Sequence, residues 1–233
     1  AKLGIPILSL TEERDVINQI SSTAELAFSL TMASLRHVVK SHQAVLGGEW
    51  DYEKYIGRQM NSLTVGVIGY GRLGSMYSKY CIAFESSILV YDPYKKVCED
   101  GIKQVASLEE LLQESDVIAI HVHVTEETIG MIDKKCFDLM KRDVVIVNTS
   151  RGDMVNEADL VSFLNENLNA RIASDVLSDE IKSKEKSPLL SYAKKSSQVI
   201  LTPHIGGMCK EAQEIAYGHA AKLLKSFFKG KNN

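Results

Sequence analysis

Three side chains with acid–base or anion-binding chemistry follow three separate apolar segments of this chain. They are Arg151, Glu180 and His204. An arginine fork can hold a carboxylate, a histidine can exchange a proton near neutral pH, and a carboxylate can stabilise an imidazolium. Taken singly, each also has an ordinary explanation: a surface ion pair, a solvated loop acid and a turn histidine. Only a shared site would combine the three chemistries.

A glycine-rich turn supplies the element around which such a site could be built. Residues 63–68 form an apolar run short enough for a buried strand, and residues 75–84 can continue as a helix. Between them stands Gly69-Tyr70-Gly71-Arg72-Leu73-Gly74. In this setting the glycines permit a tight turn, a close approach to a pyrophosphate and close packing of helix on strand. The turn therefore predicts dinucleotide binding, with the phosphates at the helix start.

A carboxylate at the end of the next predicted strand indicates which dinucleotide binds. Residues 87–91 form that strand, and Asp92 follows it. Its separation in sequence from the glycines is close to the ~20 residues that are typical of an acid that binds the adenosine ribose. The carboxylate favours NAD over NADP, because it would repel the 2′-phosphate of NADP. With NAD bound, Arg151, Glu180 and His204 form the set that hydride transfer needs.

The rest of the pattern predicts an α/β fold with a Rossmann-like, doubly wound parallel sheet. Further strands are expected over 116–122, 144–148, 171–176 and 198–202, and helices over 108–113, 134–140, 157–165 and 210–228. Ligands bind at the carboxyl ends of strands in such a sheet. The three candidate catalytic residues lie at those ends.

The segment before the glycine turn predicts a strand, a long helix and a group of aromatic residues. Residues 4–10 predict a short strand, and residues 24–45 predict one long helix, which Gly47-Gly48 would end. That helix could pack on the sheet or contact a second subunit. The aromatic residues after it could mark an interface or cover the core: Trp50, Tyr52 and Tyr55.

The later part of the chain contains one long irregular segment. Residues 178–197 have no clear periodicity, and residues 182–186 predict a solvated loop. The tail, residues 229–233, is expected to fray.

Composition excludes several classes of protein. The chain has 233 residues, 45% of them hydrophobic, and its net charge of -3 does not predict a nucleic-acid partner. Since no apolar segment approaches the ~20 residues that a spanning helix needs, no membrane span is expected. The four cysteines are scattered and form no C-x-x-C pair, so neither a metal site nor a disulfide framework is expected. A soluble protein in a reducing, cytoplasmic setting is the simplest interpretation.

Together the motifs resemble the nucleotide-binding part of the D-isomer-specific 2-hydroxyacid dehydrogenases, and they are similar in detail to the phosphoglycerate dehydrogenase branch. The resemblance covers nearly all of the chain. Its most specific parts are Asn148-Thr149-Ser150-Arg151-Gly152 and Thr202-Pro203-His204-Ile205-Gly206-Gly207. It implies an NAD-dependent oxidoreductase of D-2-hydroxy acids, with a substrate like 3-phosphoglycerate favoured, and it implies a homodimer.

The resemblance also implies roles for individual residues. Arg151 would bind the substrate carboxylate and carbonyl, His204 would be the general acid/base, and Glu180 would be its paired carboxylate. Asp175 would hold the nicotinamide carboxamide, and Asp92 the ribose. The remaining implied cofactor contacts are Gly69, Gly71, Arg72, Leu73, Gly74, Val122, Thr149, Ser150, Arg151, His204, Gly206 and Gly207.

Some positions depart from the family pattern. His123 stands where the family commonly has proline, which implies a different shape for the loop beneath the cofactor. Ile181 replaces the common proline after the catalytic acid, which weakens the placement of Glu180 relative to Arg151 and His204. His121 is expected to be structural. Cys209 replaces a small hydroxyl residue, and a packed cysteine is a better expectation there than a reactive thiol.

The resemblance implies that residues 1–208 form the dinucleotide-binding domain and that residues 209–233 form a helix returning toward a substrate domain. Most of that substrate domain would precede the point that matches Ala1, so a truncated gene product or an isolated cofactor domain is expected. Two rival functions remain: an NAD(H)-sensing scaffold like the C-terminal-binding corepressors, and a homodimerisation module with a vestigial cofactor site.

Overall fold

A computed structural model of the chain describes residues 7–10 and 13–230. Within this part of the chain, seven parallel strands form one sheet in the order β3-β2-β1-β4-β5-β6-β7. The strands are β1 (Thr64–Ile68), β2 (Ser87–Tyr91), β3 (Ile102–Gln104), β4 (Val117–Ile120), β5 (Val145–Asn148), β6 (Arg171–Ser174) and β7 (Val199–Leu201). The order reverses between β1 and β4, so the doubly wound α/β prediction is confirmed.

Helices flank the sheet on both faces. They are α1 (Arg14–Ile17), α2 (Ser22–Leu35), α3 (Val38–Leu46), α4 (Arg72–Ala83), α5 (Leu108–Glu114), α6 (Lys134–Leu139), α7 (Glu157–Glu166), α8 (Pro188–Ala193) and α9 (Lys210–Gly230). Strands β4 and β5 are buried along their whole length, because both faces of a parallel sheet are covered. No helix in residues 7–10 and 13–230 is long and apolar enough to cross a membrane.

Each face of the sheet has its own hydrophobic cluster. On one face, α2 and α4 bring Ala27 and Tyr77 against Val67 of β1. On the other face, α5 to α8 supply a larger cluster, which includes Leu111, Phe137, Leu160, Leu189 and, from the sheet, Ile118 and Ile146. The two clusters hold the sheet between two helical layers, and the carboxyl ends of its strands open at one edge.

The single helix predicted over 24–45 is wrong, because it is divided into α2 and α3. His37 adopts a left-handed conformation with φ 54° at the break. The carbonyl of Leu35 accepts the Arg58 amide at 3.1 Å instead of continuing the helix ladder. The chain returns so closely that a Cβ on Gly57 would lie 2.3 Å from the same carbonyl oxygen. The break therefore depends on a contact with residues far along the chain, which the local pattern does not encode.

The two halves of the predicted helix differ in how far they are buried. Helix α2 buries Ala24, Ala27 and Leu30 against the sheet. Helix α3 has no buried residue. After it, Trp50 is 86% exposed and Tyr52 is 82% exposed. These two aromatic side chains do not cover the core, so that interpretation is wrong for them, and an interface stays a prediction.

Several short elements were missed or misplaced. The irregular segment 178–197 contains α8, where the side chain of Ser187 caps the helix and Pro188 occupies its first turn. Edge strand β3 and helix α1 were not predicted. Of the strand predicted over 4–10, only 7–10 are described, and they are not in a strand. Lys229 and Gly230 belong to α9, and the remainder of the predicted fraying tail lies outside the described residues.

Candidate active site

The glycine turn joins β1 to α4 as its three glycines predicted. Gly69 has φ +89°, a conformation that disfavours any side chain. A Cβ on Gly74 would lie 2.1 Å from the Gly69 carbonyl oxygen, so the third glycine permits the helix to pack. A Cβ on Gly71, in contrast, would meet no protein atom within 4 Å. The second glycine therefore faces open space, which fits a bound pyrophosphate.

The start of α4 leaves backbone donors for an anion. The amide of Ser75 donates to the Gly71 carbonyl at 3.0 Å. The preceding amides, of Arg72, Leu73 and Gly74, belong to the first turn, where a helix has no internal acceptor for them. The guanidinium of Arg72 instead donates to the Ile20 carbonyl on the segment before α2. Arg72 could thus serve phosphates through its backbone, while its side chain ties two segments together.

A cavity of about 400 Å³ lies beside the glycine turn. Its lining residues include four of the predicted cofactor contacts, namely Gly69, Gly71, Asp92 and Val122. The Asp92 carboxylate accepts the Tyr70 amide at 2.8 Å and the amides of Tyr94 and Lys95 at 3.0 and 3.1 Å. These bonds fix the carboxylate at the end of β2. They leave part of its acceptor capacity for a further donor such as a ribose hydroxyl.

A folded turn after β5 carries Arg151. The buried amide side chain of Asn148 donates to the Arg151 carbonyl at 2.9 Å and accepts the Ser150 amide at 3.0 Å. Ser150 Oγ donates to the Ile120 carbonyl at 2.7 Å, which joins the turn to the end of β4. The Arg151 side chain is exposed, and its guanidinium donates to the Ser150 carbonyl at 2.6 Å. Its fork therefore stands at the sheet edge with most of its donors free for a ligand.

The loop that carries His204 is organised by Asp175, which is 1% exposed. One carboxylate oxygen of Asp175 accepts the Thr202 hydroxyl and the Ile205 amide, the latter at 2.9 Å. The other accepts the Gly206 amide at 2.7 Å. The Asp175 carbonyl accepts the His204 amide at 2.9 Å. A single buried acid at the end of β6 thus sets the path of the chain after β7.

His204 and Glu180 are in direct contact. His204 Nδ1 bonds to Glu180 Oε1, and Glu180 Oε2 accepts the Leu177 amide at 3.2 Å. His204 has φ 56°, a left-handed conformation uncommon outside glycine. Together with Asp175 both residues line a cavity of about 340 Å³. The structure therefore brings together two of the three predicted catalytic side chains, although Ile181 follows Glu180 in place of the usual proline.

Arg151 lines neither of these two cavities, but its turn is packed against the segment that leads to Glu180. A Cβ on Gly152 would lie 2.0 Å from the carbonyl carbon of Leu177 and 2.2 Å from the amide nitrogen of Ser178. The two turns therefore touch backbone to backbone.

Among the other predicted cofactor contacts, Gly206 packs against Thr23, and a Cβ on Gly207 would meet no atom within 4 Å.

Comparison with known proteins identifies the family. Residues 28–206 match the family model described as the NAD binding domain of D-isomer specific 2-hydroxyacid dehydrogenases. The chain belongs to this family. A D-3-phosphoglycerate dehydrogenase of Archaeoglobus fulgidus is 40% identical over 195 residues, which cover 82% of this chain and 36% of the relative. A glyoxylate reductase of Thermococcus litoralis is 34% identical over 218 residues, 90% of this chain and 64% of the relative.

Solved structures agree with this assignment. The D-lactate dehydrogenase of Aquifex aeolicus, solved with NAD and lactic acid, superposes with a TM-score of 0.80 at 32% identity. The match covers 91% of this chain and 68% of that structure. The chain spans between 36% and 65% of the length of the first curated relatives, so it contains the NAD-binding domain of a 2-hydroxyacid dehydrogenase.

Two residues that organise this candidate site were not singled out from the sequence. Asn148 folds the Arg151 turn, and Glu157 holds the segment that carries Glu180. The Glu157 carboxylate is buried in the first turn of α7, and it accepts the Ser178 amide at 2.8 Å, the Ser187 hydroxyl and the Leu189 amide at 3.3 Å. An acid at a helix start usually indicates only a favourable interaction with the helix dipole. The sequence therefore carried no signal of its long-range bonds.

The positions that depart from the family pattern differ in their environments. Cys209 is exposed, so the packed cysteine expected there is wrong. His123 is exposed at the rim of the cofactor cavity. His121 is buried against Tyr77, with ring centroids 5.1 Å apart, and neither of its ring nitrogens has a hydrogen-bond partner in residues 7–10 and 13–230. This environment agrees with a structural role.

Burial of His121 predicts a pH-dependent stability. Desolvation lowers the pKa of His121 to about 4, below the 6.5 of a free imidazole. The unfolded state therefore binds the proton more readily, and stability falls as the pH drops from 6.5 toward 4. Between pH 7 and pH 5 we expect a loss of about 2 kcal/mol from this residue, measured by urea unfolding.

The matched variant for this measurement is His121→Phe, which keeps a ring beside Tyr77 and removes the titrating group. It should retain only the smaller pH dependence of the other residues. An equal loss of stability in the wild type and in the variant between the two pH values would show that His121 is not its source.

Gly71→Ala is expected to separate cofactor affinity from folding. Because its Cβ would meet no protein atom, stability should stay within about 0.5 kcal/mol of the wild type. The same methyl group would stand where the pyrophosphate approaches, and the lost charge-assisted bonds should raise the NADH dissociation constant at least ~10-fold. NADH fluorescence titration measures this constant.

Gly218→Ala on α9 is the matched control, because its Cβ also meets no atom within 4 Å and the position is far from the turn in sequence. Equal NADH affinity in both variants would mean that the phosphates do not approach Gly71.

Proposed function

We propose that this chain carries the NAD half of an active site that oxidises D-2-hydroxy acids at C2 and reduces the corresponding 2-oxo acids. The observation that carries the proposal is the contact between His204 Nδ1 and the Glu180 carboxylate beside a cavity at the carboxyl ends of β6 and β7. Because Nδ1 is occupied in this contact, Nε2 is the ring nitrogen that remains free for a substrate. The family assignment indicates NAD as the cofactor of the proposed reaction.

The pair defines how the proton would move. With Nδ1–H donating to Glu180, the lone pair of Nε2 would take the C2 hydroxyl proton in the oxidative direction. Glu180 would stabilise the resulting imidazolium, and its own position is held by the Leu177 amide. Arg151 would hold the substrate carboxylate with its two-pronged donor. NAD, when bound, supplies the hydride acceptor; reduction runs the same proton transfer backward.

The residues present fit NAD. Gly71 leaves the space that a pyrophosphate needs, the start of α4 offers backbone amides, and Asp92 is fixed where a ribose hydroxyl could reach it. Val122 lines the same cavity, and Thr149, Ser150, Gly206 and Gly207 stay predicted contacts. For Asp175 the predicted role is to hold the nicotinamide carboxamide. Since three loop donors already occupy this carboxylate, it would do so with its remaining acceptor capacity.

A substrate like 3-phosphoglycerate is our preferred candidate. The support is the 40% identity to a relative named D-3-phosphoglycerate dehydrogenase, while other relatives are named glyoxylate reductase and hydroxypyruvate reductase. The test is NADH oxidation by a protein that includes the preceding substrate domain, with 3-phosphohydroxypyruvate, hydroxypyruvate, glyoxylate and pyruvate. We expect the highest kcat/KM for the phosphorylated acid. A higher kcat/KM for another acid would contradict this choice of substrate but would still support the proposed dehydrogenase activity.

The same assay separates the rival functions. No NADH oxidation with any acid, together with NADH binding and NADH-dependent recovery of a protein partner, would favour an NAD(H)-sensing scaffold. Absence of NADH binding at millimolar cofactor would leave a homodimerisation module with a vestigial site.

We also propose that the chain forms a homodimer through the surface around α3. The support is its exposed apolar side chains, which include Leu46, Trp50, Tyr52 and Ile56, the first of these being 70% exposed. Light scattering would contradict this with a mass of 25.8 kDa at micromolar concentration. A cytoplasmic location stays a prediction of the cysteine pattern.

The proposed division of the chain places α9 beside a substrate domain. Helix α9 touches the start of the chain, where His219 lies 3.3 Å from the Glu13 carboxylate. It exposes Tyr217, Leu224 and Phe228, the first being 66% exposed. An exposed apolar face on this helix is what a return toward a further domain would require.

A further inference from the structure

The amino ends of the strands, opposite the cofactor edge, contain a second concave region. Two cavities of about 290 and 180 Å³ lie there, and Ser34, His37 and Arg171 line both of them. Arg171 is the first residue of β6, and Ser34 belongs to the last turn of α2. Because the strands are parallel, this region and the candidate active site are at opposite edges of the sheet. We call it the amino-edge cavity.

Arg171 is the main charge in the amino-edge cavity. Its side chain is partly buried, and desolvation lowers the pKa of its guanidinium. In residues 7–10 and 13–230, no carboxylate or carbonyl accepts a hydrogen bond from it. The nearby Arg58, in contrast, donates to Asp116 at 2.9 Å and to Asp143 at 3.1 Å. A partly desolvated arginine with no anion beside it is costly unless an anion binds.

Other groups in the cavity add to the positive field and offer further donors. Arg171 and Lys40 both repel positive charge on His37, and this repulsion adds to the desolvation that lowers the His37 pKa. Ser34 is 3% exposed, and its hydroxyl has no hydrogen-bond partner among the described residues. His37 Nε2 contacts the Ile56 carbonyl at 3.1 Å, while its Nδ1 has no partner there. Among the described residues, Asp143 is the only acid that lines the region, and Arg58 neutralises it.

We propose that the amino-edge cavity binds a tetrahedral oxyanion of the phosphate or phosphomonoester class. The guanidinium of Arg171 donates to two of its oxygens, as this fork does with phosphates elsewhere. Lys40 and the Ser34 hydroxyl supply the remaining contacts. The larger of the two cavities has room for the organic part of an ester. This site is separate from the pyrophosphate position at the start of α4. It borders the proposed dimer surface, because Lys40 belongs to α3 and Ile56 lines the smaller cavity.

The test is a titration of the ¹⁵N-labelled protein by NMR, at constant ionic strength and with saturating NAD so that the start of α4 is occupied. The probes are inorganic phosphate and glycerol 2-phosphate. We expect saturable shifts of the Arg171 Nε–H and of the Ser34 and His37 amides, with half-saturation on the order of 1 mM. Tighter binding of the ester would identify a phosphomonoester as the ligand, and equal binding would identify the free ion.

Arg171→Leu should raise the half-saturating concentration at least ~10-fold, because the charge-assisted bonds are lost. Lys40→Met changes an exposed residue, so it folds in any case, and it should weaken binding several-fold. The control is Arg36→Leu, which removes an exposed arginine that lines neither cavity and should leave binding unchanged.

Three results would overturn the proposal. The first is a shift that grows linearly with phosphate and never saturates. The second is a set of saturating shifts confined to residues 69–74. The third is a change of molar mass in Arg171→Leu with no response of the wild type to either probe, since Arg171 would then pair with a second copy of the chain.

Discussion

Replacing His204 with glutamine is expected to lower turnover at least ~100-fold, the lower end of general acid/base effects. The glutamine amide can still reach Glu180, but it can neither take a proton from the C2 oxygen nor give one to it near neutral pH. The loop should keep its path, because Asp175 holds it through the Thr202 hydroxyl and the Ile205 and Gly206 amides. NADH affinity should therefore remain close to that of the wild type.

The measurement is steady-state NADH oxidation, in a preparation that turns over a 2-oxo acid, together with NADH fluorescence titration. The matched control is His42→Gln, which changes an exposed histidine on α3 in the same way. Unchanged turnover in His204→Gln would remove this residue from the proposed mechanism. A parallel loss of NADH affinity would instead indicate a damaged loop.

Gly152→Ala is expected to destabilise the fold by at least ~2 kcal/mol, since one methyl group would overpack a rigid contact. Its Cβ would stand 2.0 to 2.2 Å from three backbone atoms of Leu177 and Ser178. No flexible side chain can move to make room, so one of the two turns must shift. The turns carry Arg151 and lead to Glu180, and for that reason turnover should fall as well.

Urea unfolding measures the change in stability, and Gly71→Ala is the control. Both variants make the same glycine-to-alanine change in the unfolded chain, and a Cβ on Gly71 meets no protein atom. An unfolding midpoint for Gly152→Ala equal to that of the control would contradict the close approach of the two turns.

The candidate site was predictable from the sequence where its residues are close together in one turn. The β1–α4 turn and Asp92 could be located because apolar runs, glycines and a strand-terminal acid are close together in the chain. The contact between His204 and Glu180 was expected only from the family resemblance. The organising roles of Asn148 and Glu157 were not foreseen.

The division of the helix predicted over 24–45 illustrates the limit of a local pattern. Its apolar residues continue past Leu35 without interruption, and nothing in the helix itself ends it. The break at His37 arises because Gly57 and Arg58 return to the Leu35 carbonyl. Helix α8 is a different case, since the pair Ser187-Pro188 is a recognisable start that could have been used.

By itself, the sequence determined the α/β class, the nucleotide-binding turn, the preference for NAD and the residue types of the proposed site. It could do so because strand burial, glycine conformation and a strand-terminal carboxylate depend on neighbours in the chain. Only the tertiary structure decided which polar groups meet across strands: Asp175 with the His204 loop, Glu157 with the segment before α8, and Arg171 with no carboxylate among the described residues. These pairings depend on the strand order and on close backbone contacts between segments that are far apart in sequence. The local periodicity of the sequence predicts neither of them.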